Sequence, residues 1–180
     1  MIFSDTGIAG VYIVELERRI DSRGSFSRAY CTAEFSRVGI EFQAVQANLS
    51  VNLLKGTLRG MHYQGCGTGE SKLVRCIKGA VWDVIIDMRA DSPTYLTHFG
   101  VELSAQNGLA LYVPELVAHG TLALSDGAEI FYLMGGFHDS ERSCGIRFDD
   151  PGVGIVWPAD VSVVSQRDLE WPLIGWKYGN

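Results

Sequence analysis

Short segments of apolar or alternating residues recur along the whole chain, and turn residues separate them. In AVWDVIIDM, for example, side chains at alternate positions would face opposite sides of a strand. The chain also holds 21 glycines, a residue that commonly marks turns. Many short strands with few helical periods favour a β-sandwich or barrel. The predicted strands lie in GVYIVEL, FSRAYC, FQAVQANLSVN, GTLRGMHYQ, KLVRCI, AVWDVIIDM, HFGVELS, LALYVP, GTLAL, EIFYLMG and IVWP.

Only two stretches have a helical character. TAEFSRVG is predicted to form a short helix, with Thr32 as its N-cap and Phe35 on its buried side. QRDLEW is predicted to form a helical turn. No repeat, low-complexity tract or linker divides the sequence, so residues 1–180 are expected to form one domain.

The charge balance excludes two classes of partner. The formal net charge is −6, whereas binding to a phosphate backbone or an anionic membrane requires a clustered positive surface. No run approaches the roughly 18 apolar residues of a membrane span, and the first residues do not resemble a signal peptide. We therefore expect a cytoplasmic protein that binds neither nucleic acid nor membrane. A small anionic ligand stays compatible, because a few arginines can form a positive pocket on an acidic protein.

Neither the cysteines nor the histidines show the spacing of a metal site. The cysteines at 31, 66, 76 and 144 include no CxxC pair, so ordinary reduced thiols are expected. Jelly-roll proteins of the cupin type often bind a metal through an HxH element, a following Glu and a later His. Here Tyr63 and Gln64 follow His62, and His119 in PELVAHG matches only the later ligand. No metal or other cofactor is expected, although a metal-dependent cupin remains an alternative.

GTLRGMHYQ, residues 56–64, carries a fixed cation and a potential base in an apolar strand. In a regular strand Arg59 and His62 would point to opposite faces. A bulge or bend at Gly56 or Gly60 would change this. From this segment alone, His62 is either a functional base or a hydrogen-bonded core histidine.

Three further polar residues stand in or beside apolar segments. Lys72 begins KLVRCI and is readily placed beside His62 on a neighbouring strand, where an ammonium would stabilise an enolate or alkoxide oxygen. Tyr132 in EIFYLMG suits a general acid or a core tyrosine with its hydroxyl at the rim. Asp168 in VSQRDLEWP could orient an imidazole and stabilise its cationic form.

RRIDSRGSFSRAY gathers four arginines, including Arg23, around Phe26 and Tyr30. Arginine suits bidentate recognition of phosphate, and an aromatic ring can stack on a nucleobase. Taken by itself, the segment is better interpreted as a charged turn between strands.

Together these segments resemble the dTDP-4-dehydrorhamnose 3,5-epimerase family, whose members are homodimeric, metal-independent cupin jelly rolls. The resemblance covers nearly the whole chain in order. It rests on DSRGSF, VQANLS, KGTLRGMHYQ, KLVRCIKGAVWDVIIDMRADSPTY, VELSAQN, VPELVAHG, EIFYLMGGF, GIRFDDPGVGIVWP and SQRDLEWP. It implies an all-β, cupin-type jelly-roll sandwich or barrel with short peripheral helices, and a homodimer.

The resemblance also implies an isomerase of deoxysugar and polysaccharide biosynthesis. Its substrate would be a nucleotide-linked 4-keto-6-deoxyhexose, most simply dTDP-4-dehydro-6-deoxyglucose on the route to dTDP-rhamnose. His62 matches the family's base and Asp168 the carboxylate paired with it. Tyr132 matches the acid that returns a proton from the opposite face. Lys72 matches the residue that stabilises the enolate oxygen, and His119 a polar wall of the pocket.

The family's substrate contacts map onto further residues. Arg23 and Arg59 match the arginines that contact phosphate, and Phe26 matches the aromatic residue that stacks on the nucleobase. Gln46 and Asn48 match two polar residues that contact the nucleobase.

Three positions depart from the family pattern. Arg28 stands where better-known members have a glutamate, which leaves room for another nucleotide base. Phe137 and His138 replace a Tyr-Tyr pair that helps to position the sugar, so inversion at C3 alone is a second reading. A nucleotide-sugar-binding jelly roll without catalysis is another.

Overall fold

The protein is described by a computed structural model that covers residues 1–65, 67 and 69–174. Within these residues, thirteen strands and two short α-helices follow one another along the chain. They are β1 (Ile2–Asp5), β2 (Tyr12–Glu15), β3 (Arg19–Asp21), β4 (Gly24–Phe26), α1 (Thr32–Arg37), β5 (Gln46–Asn52), β6 (Leu58–Gln64), β7 (Lys72–Lys78), β8 (Ala80–Asp87), β9 (His98–Ser104), β10 (Ala110–Val113), β11 (Val117–Ala123), β12 (Ala128–Met134), β13 (Ser143–Gly145) and α2 (Gln166–Leu169).

β3 and β4 form a separate hairpin, and the other eleven strands form two antiparallel sheets that pack face to face. One has the order β1-β2-β10-β7-β12-β5 and the other the order β13-β6-β11-β8-β9. A core cluster joins Val74 and Ile130 of the first sheet to Val81 and Ile85 of the second. Burial of this shared apolar face is the main force holding the sheets together. The predicted all-β sandwich with short peripheral helices is confirmed.

Two of the predicted strands are wrong. Of FSRAYC only Phe26 lies in a strand, and no residue of IVWP does. Their apolar residues cover the outer faces of the sheets instead of joining them. Tyr30 packs on the cluster around Phe35 and donates its hydroxyl to the Phe42 carbonyl at 2.7 Å. Trp157 packs on the other sheet and donates to the Phe148 carbonyl at 3.0 Å.

Both predicted helical segments are helices, but the cap of the first was misplaced. Cys31, not Thr32, is the extended N-cap residue of α1, and no side chain caps this helix. The Cys31 carbonyl accepts the first helical hydrogen bonds, so Thr32 already lies within the first turn. Phe35 is fully buried, as predicted. In α2 the Ser165 side chain accepts from the Asp168 amide, which makes a well-capped turn.

Two further expectations concern the cysteines and membrane-spanning segments. Cys31, Cys76 and Cys144 are free thiols, whereas Cys66 lies outside the described residues. In the part of the chain that the structure describes, no helix has the length and apolar character needed to cross a membrane.

A bulge in β6 explains how Arg59 and His62 of the segment GTLRGMHYQ are accommodated in one strand. His62 pairs with His119 of β11, but Arg59 pairs with Thr121, so β6 has one residue more than its partner between these pairs. Gly60 lies within this stretch at φ +139°, and a Cβ there would be 2.5 Å from the Gly120 Cα. The chain can approach β11 this closely only with glycine at this position. The bulge thus lies at Gly60, one of the two glycines at which the sequence allowed a bend.

We expect Gly60→Ala to destabilise the fold more than a glycine substitution elsewhere. Gly24→Ala is a matched control, because Gly24 also has a positive φ, +126°, but nothing lies within 4 Å of its added Cβ. Both variants carry the backbone penalty of about 1–3 kcal/mol, and Gly60→Ala adds an overpacking penalty of about 1–3 kcal/mol. Urea denaturation measures the difference. Equal losses in the two variants would contradict the close-approach argument.

Candidate active site

A cavity of about 690 Å³ lies between the two sheets, a volume typical of small-molecule sites. Strands β6 and β11 supply one wall, β5, β7 and β12 supply the opposite wall, and α2 lies at the margin. All four residues predicted to be catalytic line it, namely His62, Lys72, Tyr132 and Asp168. The fold thus brings together His62 and Asp168, which are 106 positions apart in the sequence.

His62 and Asp168 form a directly hydrogen-bonded pair. His62 Nε2 is 2.6 Å from Asp168 Oδ1, with the imidazole partly exposed to the cavity and the carboxylate buried. Burial alone would raise the pKa of the Asp168 carboxyl. The hydrogen bond and charge of His62, together with the hydrogen bonds of Ser165 and Gly60, outweigh burial, so the pKa lies below its usual range. The carboxylate therefore stays ionised and can orient the imidazole and stabilise its protonated form.

The backbone and the helix cap fix the carboxylate of this pair. The Gly60 amide donates to Asp168 Oδ2 at 3.5 Å, and the Asp168 amide donates to the Ser165 hydroxyl at 3.1 Å. Beside the pair, the Trp171 ring meets the His62 ring edge-on with centroids 6.4 Å apart. Arg167 in turn lies 5.4 Å over the Trp171 ring. The imidazole is held between a carboxylate and an aromatic ring.

Tyr132 faces the cavity from β12, in the sheet opposite His62. Burial raises the pKa of its phenol, the charge of Glu70 adds to this, and Arg59 opposes it. Among the residues that the structure describes, none forms a hydrogen bond to the Tyr132 hydroxyl that would compete with a ligand. A protonated phenol at this wall can donate a hydrogen bond or a proton.

Lys72 lies in the opposite sheet from His62, which corrects the prediction of a neighbouring strand. β7 pairs with β10 and β12, and β6 pairs with β11 and β13. Both side chains nevertheless line the cavity, because it lies between the two sheets. Lys72 Nζ is 3.4 Å from Glu70 Oε1, and both side chains are buried. Burial lowers the pKa of the Lys72 ammonium, and the charge and hydrogen bond of Glu70 oppose this shift.

His119 lines the cavity on β11 and is bound from behind by Asp83 of β8. Its Nε2 is 3.1 and 2.9 Å from the two carboxylate oxygens of Asp83, which is fully buried. The structure thus places the His119 ring in the wall of the cavity. Within residues 1–65, 67 and 69–174, no group of three or more His, Cys, Asp and Glu side chains is arranged to hold a metal ion.

Four of the predicted substrate contacts also line the cavity: Gln46, Asn48, Arg59 and His138. Arg59 is held by Asn52 Oδ1 at 2.9 Å and lies on the same cavity as His62 because of the β6 bulge. Gln46 donates to Asn48 Oδ1 at 3.1 Å, so the two amides form one polar edge on β5.

Three predicted contacts lie away from the cavity of their own chain: Arg23, Phe26 and Phe137. Arg23 and Phe26 belong to the β3–β4 hairpin, which pairs with no other strand in the described part of the chain. Arg23 donates to Asp21 at 2.7 Å, and Phe26 is 71% exposed. Phe137 is 72% exposed. Within one chain, the structure therefore unites Gln46, Asn48 and Arg59 with the catalytic residues, but not Arg23 and Phe26.

Sequence reasoning missed three charged residues of this site, Glu70, Asp83 and Arg167. Glu70 pairs with Lys72 and Asp83 with His119, while Arg167 lines the cavity next to Asp168. A carboxylate inside the apolar run AVWDVIIDM was the available signal for Asp83, because such a charge is rarely buried without a partner.

Comparison with known proteins identifies the family. The family model described as dTDP-4-dehydrorhamnose 3,5-epimerase matches residues 5–175. A dTDP-4-dehydrorhamnose 3,5-epimerase of Methanothermobacter thermautotrophicus is 39% identical over 172 residues, covering 94% of this chain and 92% of the relative. A dTDP-4-dehydrorhamnose 3-epimerase of Streptomyces niveus is 38% identical over 165 residues, covering 91% and 79%.

A solved structure has the same fold over nearly its whole length. The crystal structure of dTDP-4-dehydrorhamnose 3,5-epimerase from Elizabethkingia anophelis NUHP1 superposes with a TM-score of 0.95 at 34% identity, covering 99% of each chain. The predicted cupin-type jelly roll is confirmed by this match. On the family model, the relatives and the shared fold, the chain belongs to the dTDP-4-dehydrorhamnose 3,5-epimerase family.

Proposed function

We propose that this chain is an epimerase that inverts C3 and C5 of a nucleotide-linked 4-keto-6-deoxyhexose, with dTDP-4-dehydro-6-deoxyglucose as the substrate. One observation carries the proposal: a base, His62, and an acid, Tyr132, face the same cavity from opposite sheets. A sugar ring bound between them would meet the base on one face and the acid on the other. That arrangement is what inversion of a carbon centre requires.

The first step is removal of a proton next to the ketone. C3 and C5 both adjoin C4, so the electron pair left by the proton delocalises onto the carbonyl oxygen as an enolate. His62 takes the proton, and the resulting imidazolium is stabilised by the ionised Asp168 at 2.6 Å. Trp171 limits movement of the ring, so the base keeps its direction.

The enolate oxygen then needs a positive or hydrogen-bonding partner. Lys72 on the opposite wall supplies an ammonium, and His119 supplies a polar ring held by Asp83. Preorganised donors in a partly dehydrated cavity stabilise a developing negative charge more effectively than water does. No metal takes part in this scheme.

Reprotonation from the other face completes the inversion. The raised pKa of Tyr132 means that the phenol remains protonated throughout the neutral range and loses its proton only at higher pH than an ordinary tyrosine. It can therefore deliver a proton to the enolate carbon, and the phenolate formed regains a proton from solvent. Repetition at the second carbon gives the doubly inverted product.

We assign the nucleotide end of the substrate to the polar and basic residues of the cavity. Arg59 and Arg167 bring two guanidinium groups to the lining, and such groups bind phosphate oxygens bidentately. The amides of Gln46 and Asn48 supply donors and acceptors suited to a base edge.

We further propose a homodimer in which the β3–β4 hairpin of one protomer reaches the cavity of its partner. This would bring Arg23 and Phe26 to the phosphate and the base, which they cannot reach within their own chain. The hairpin is exposed, and so is the outer face around β5 and β12. Leu49 is 58% exposed and its neighbour across the sheet, Phe131, is 38% exposed. An apolar sheet face of this kind is typical of a surface that is covered in an oligomer.

Two observations favour inversion at C3 alone as a second candidate. The Streptomyces niveus relative is named a 3-epimerase, and His138 lies on the cavity where the family has a tyrosine. In either case we propose that residues 1–180 act as one domain in the cytoplasm. The two candidates share the same base and acid, and differ in how the ring is positioned for the second step.

Paired substitutions test the assignment of base and acid. His62→Ala should abolish both proton exchange and epimerisation, because it removes the imidazole that takes the proton. Tyr132→Phe should lower epimerisation by about 10²–10⁴-fold while keeping exchange with retained configuration, because His62 can return the proton to the face it came from. NMR of the product follows both reactions. His98→Ala, on β9 away from the cavity, is the control.

Two results would remove these roles. Normal epimerisation by Tyr132→Phe would show that another group is the acid. Full activity of His62→Ala would exclude the proposed base. If unmodified protein binds the nucleotide sugar but exchanges no proton, the chain is a binding protein and not an epimerase.

The dimer is tested by charging the exposed face. The unmodified protein should have about twice the 19.7 kDa mass of the chain in light scattering. The double variant Leu49→Glu, Phe131→Glu should be monomeric and should show a raised KM, because the partner's hairpin would be lost. Val156→Glu is the control, since Val156 is 83% exposed in a loop outside this face. A fully active monomer would contradict the shared site.

A further inference from the structure

One member of a buried ion pair in the cavity wall, Glu70, has no role in the proposed scheme. Glu70 and Lys72 lie where β7 begins, are 8% and 7% exposed, and both line the cavity. Glu70 Oε1 is 3.4 Å from Lys72 Nζ. A carboxylate is rarely buried at a ligand cavity unless its charge is used.

An ammonium at this depth requires a counter-ion if it is to stay charged. Removing it from water favours the neutral amine, and the burial of Lys72 lowers its pKa for this reason. Two carboxylates oppose the loss of the proton, Glu70 first and Asp83 after it. Asp83 is already engaged through both oxygens with His119, so Glu70 is the acid in direct contact with Lys72.

We propose that Glu70 is a positioning residue of the active site, which holds Lys72 as an ammonium directed at the cavity so that it can stabilise the enolate oxygen. This assignment rests on the proposed function for its catalytic consequence, but the ion pair itself can be tested without it. Glu70 gives up no proton and contacts no reacting atom in this role. It acts only through Lys72.

Other ionisable groups around the Glu70–Lys72 pair also influence the pKa of Lys72. Tyr132 on β12 and His62 on β6 remain in place when Glu70 is altered, as do the groups behind and beside them. These are Arg59 on β6, His119 on β11 and Asp83 on β8. A change confined to Lys72 in a Glu70 variant is therefore attributable to the lost carboxylate.

The direction of the pH effect follows from the sign of the charge. Activity that depends on the Lys72 ammonium is present below the pKa of Lys72 and is lost as the pH rises through it. Glu70 favours the ammonium, so Glu70→Gln should move this loss to lower pH. A nearby opposite charge shifts a pKa by about 1–3 units. The pH at which kcat/KM is half lost on the alkaline side should therefore be lower in Glu70→Gln by an amount in that range.

Lysine NMR tests the ion pair directly. The chain has only four lysines, at 55, 72, 78 and 177, so protein labelled with 13C at the lysine ε carbon gives few signals. The Lys72 signal is identified by its loss in Lys72→Arg. In Glu70→Gln the Lys72 midpoint should fall by about 1–3 pH units, while the other lysines keep theirs. An unchanged or raised Lys72 midpoint would overturn the proposal.

Glu129→Gln is the matched control for both measurements. Glu129 of β12 pairs at 2.9 Å with Lys78, which lies on the same strand as Lys72, but this pair is on the exposed surface. Its loss should leave the Lys72 midpoint and the pH profile of kcat/KM unchanged, with little effect on thermal stability. An equal change in kcat/KM in both variants would show a general electrostatic effect and overturn the role of Glu70.

The two proposals fail in different ways. If the unmodified protein exchanges no proton, the proposed function fails, and the Lys72 titration still decides whether Glu70 holds the ammonium. If exchange occurs but Glu70→Gln has the pH profile of the unmodified protein, the proposed function stands and the role of Glu70 falls. In Glu70→Asp the carboxylate is kept on a shorter side chain. A Lys72 midpoint nearer that of the unmodified protein in this variant would show that the charge of Glu70, and not its shape, holds the ammonium.

Discussion

The contact between Gly60 and Gly120 is the constraint on which the rest of the site depends. Side chains at either position would collide with the facing strand, since a Cβ at Gly120 would be 2.5 Å from Met61 Sδ. Because both are glycine, β6 can bulge without separating from β11, and Arg59 and His62 come to line one cavity. The same bend directs the Gly60 amide at Asp168. A local backbone feature thus sets the direction of a base whose carboxylate partner comes from the far end of the chain.

Three buried carboxylates then organise the charges around that cavity. Asp168 pairs with His62, Glu70 pairs with Lys72, and Asp83 pairs with His119. Burying such charges is favourable only when each has a well-placed partner, and the sandwich provides these partners from both sheets. His62 and the ammonium group of Lys72 are consequently held on opposite walls. This separation lets one sugar ring contact both.

Much of this could be predicted from the sequence, and the exceptions have physical causes. Period-two patterns identified most strands because half-buried strands must alternate. FSRAYC and IVWP were wrong because apolar residues can cover a sheet without joining it. His62 and Asp168 were paired only through a family resemblance, since spacing alone does not place a distant helix beside a strand. Glu70 was missed because a carboxylate beside a lysine resembles a surface pair until its burial is known. Arg23 and Phe26 remain predictions that depend on a second protomer.

The most direct test of the central claim is solvent deuterium incorporation into dTDP-4-keto-6-deoxyglucose by the unmodified protein in heavy water, followed by NMR at C3 and C5. A base and an acid on opposite walls predict that each carbon that gains deuterium is also inverted. Deuterium at both carbons is the result expected for the 3,5-epimerase, and deuterium at C3 alone would select the single-centre candidate. Deuterium with retained configuration, or none at either carbon, would contradict the proposed arrangement of His62 and Tyr132.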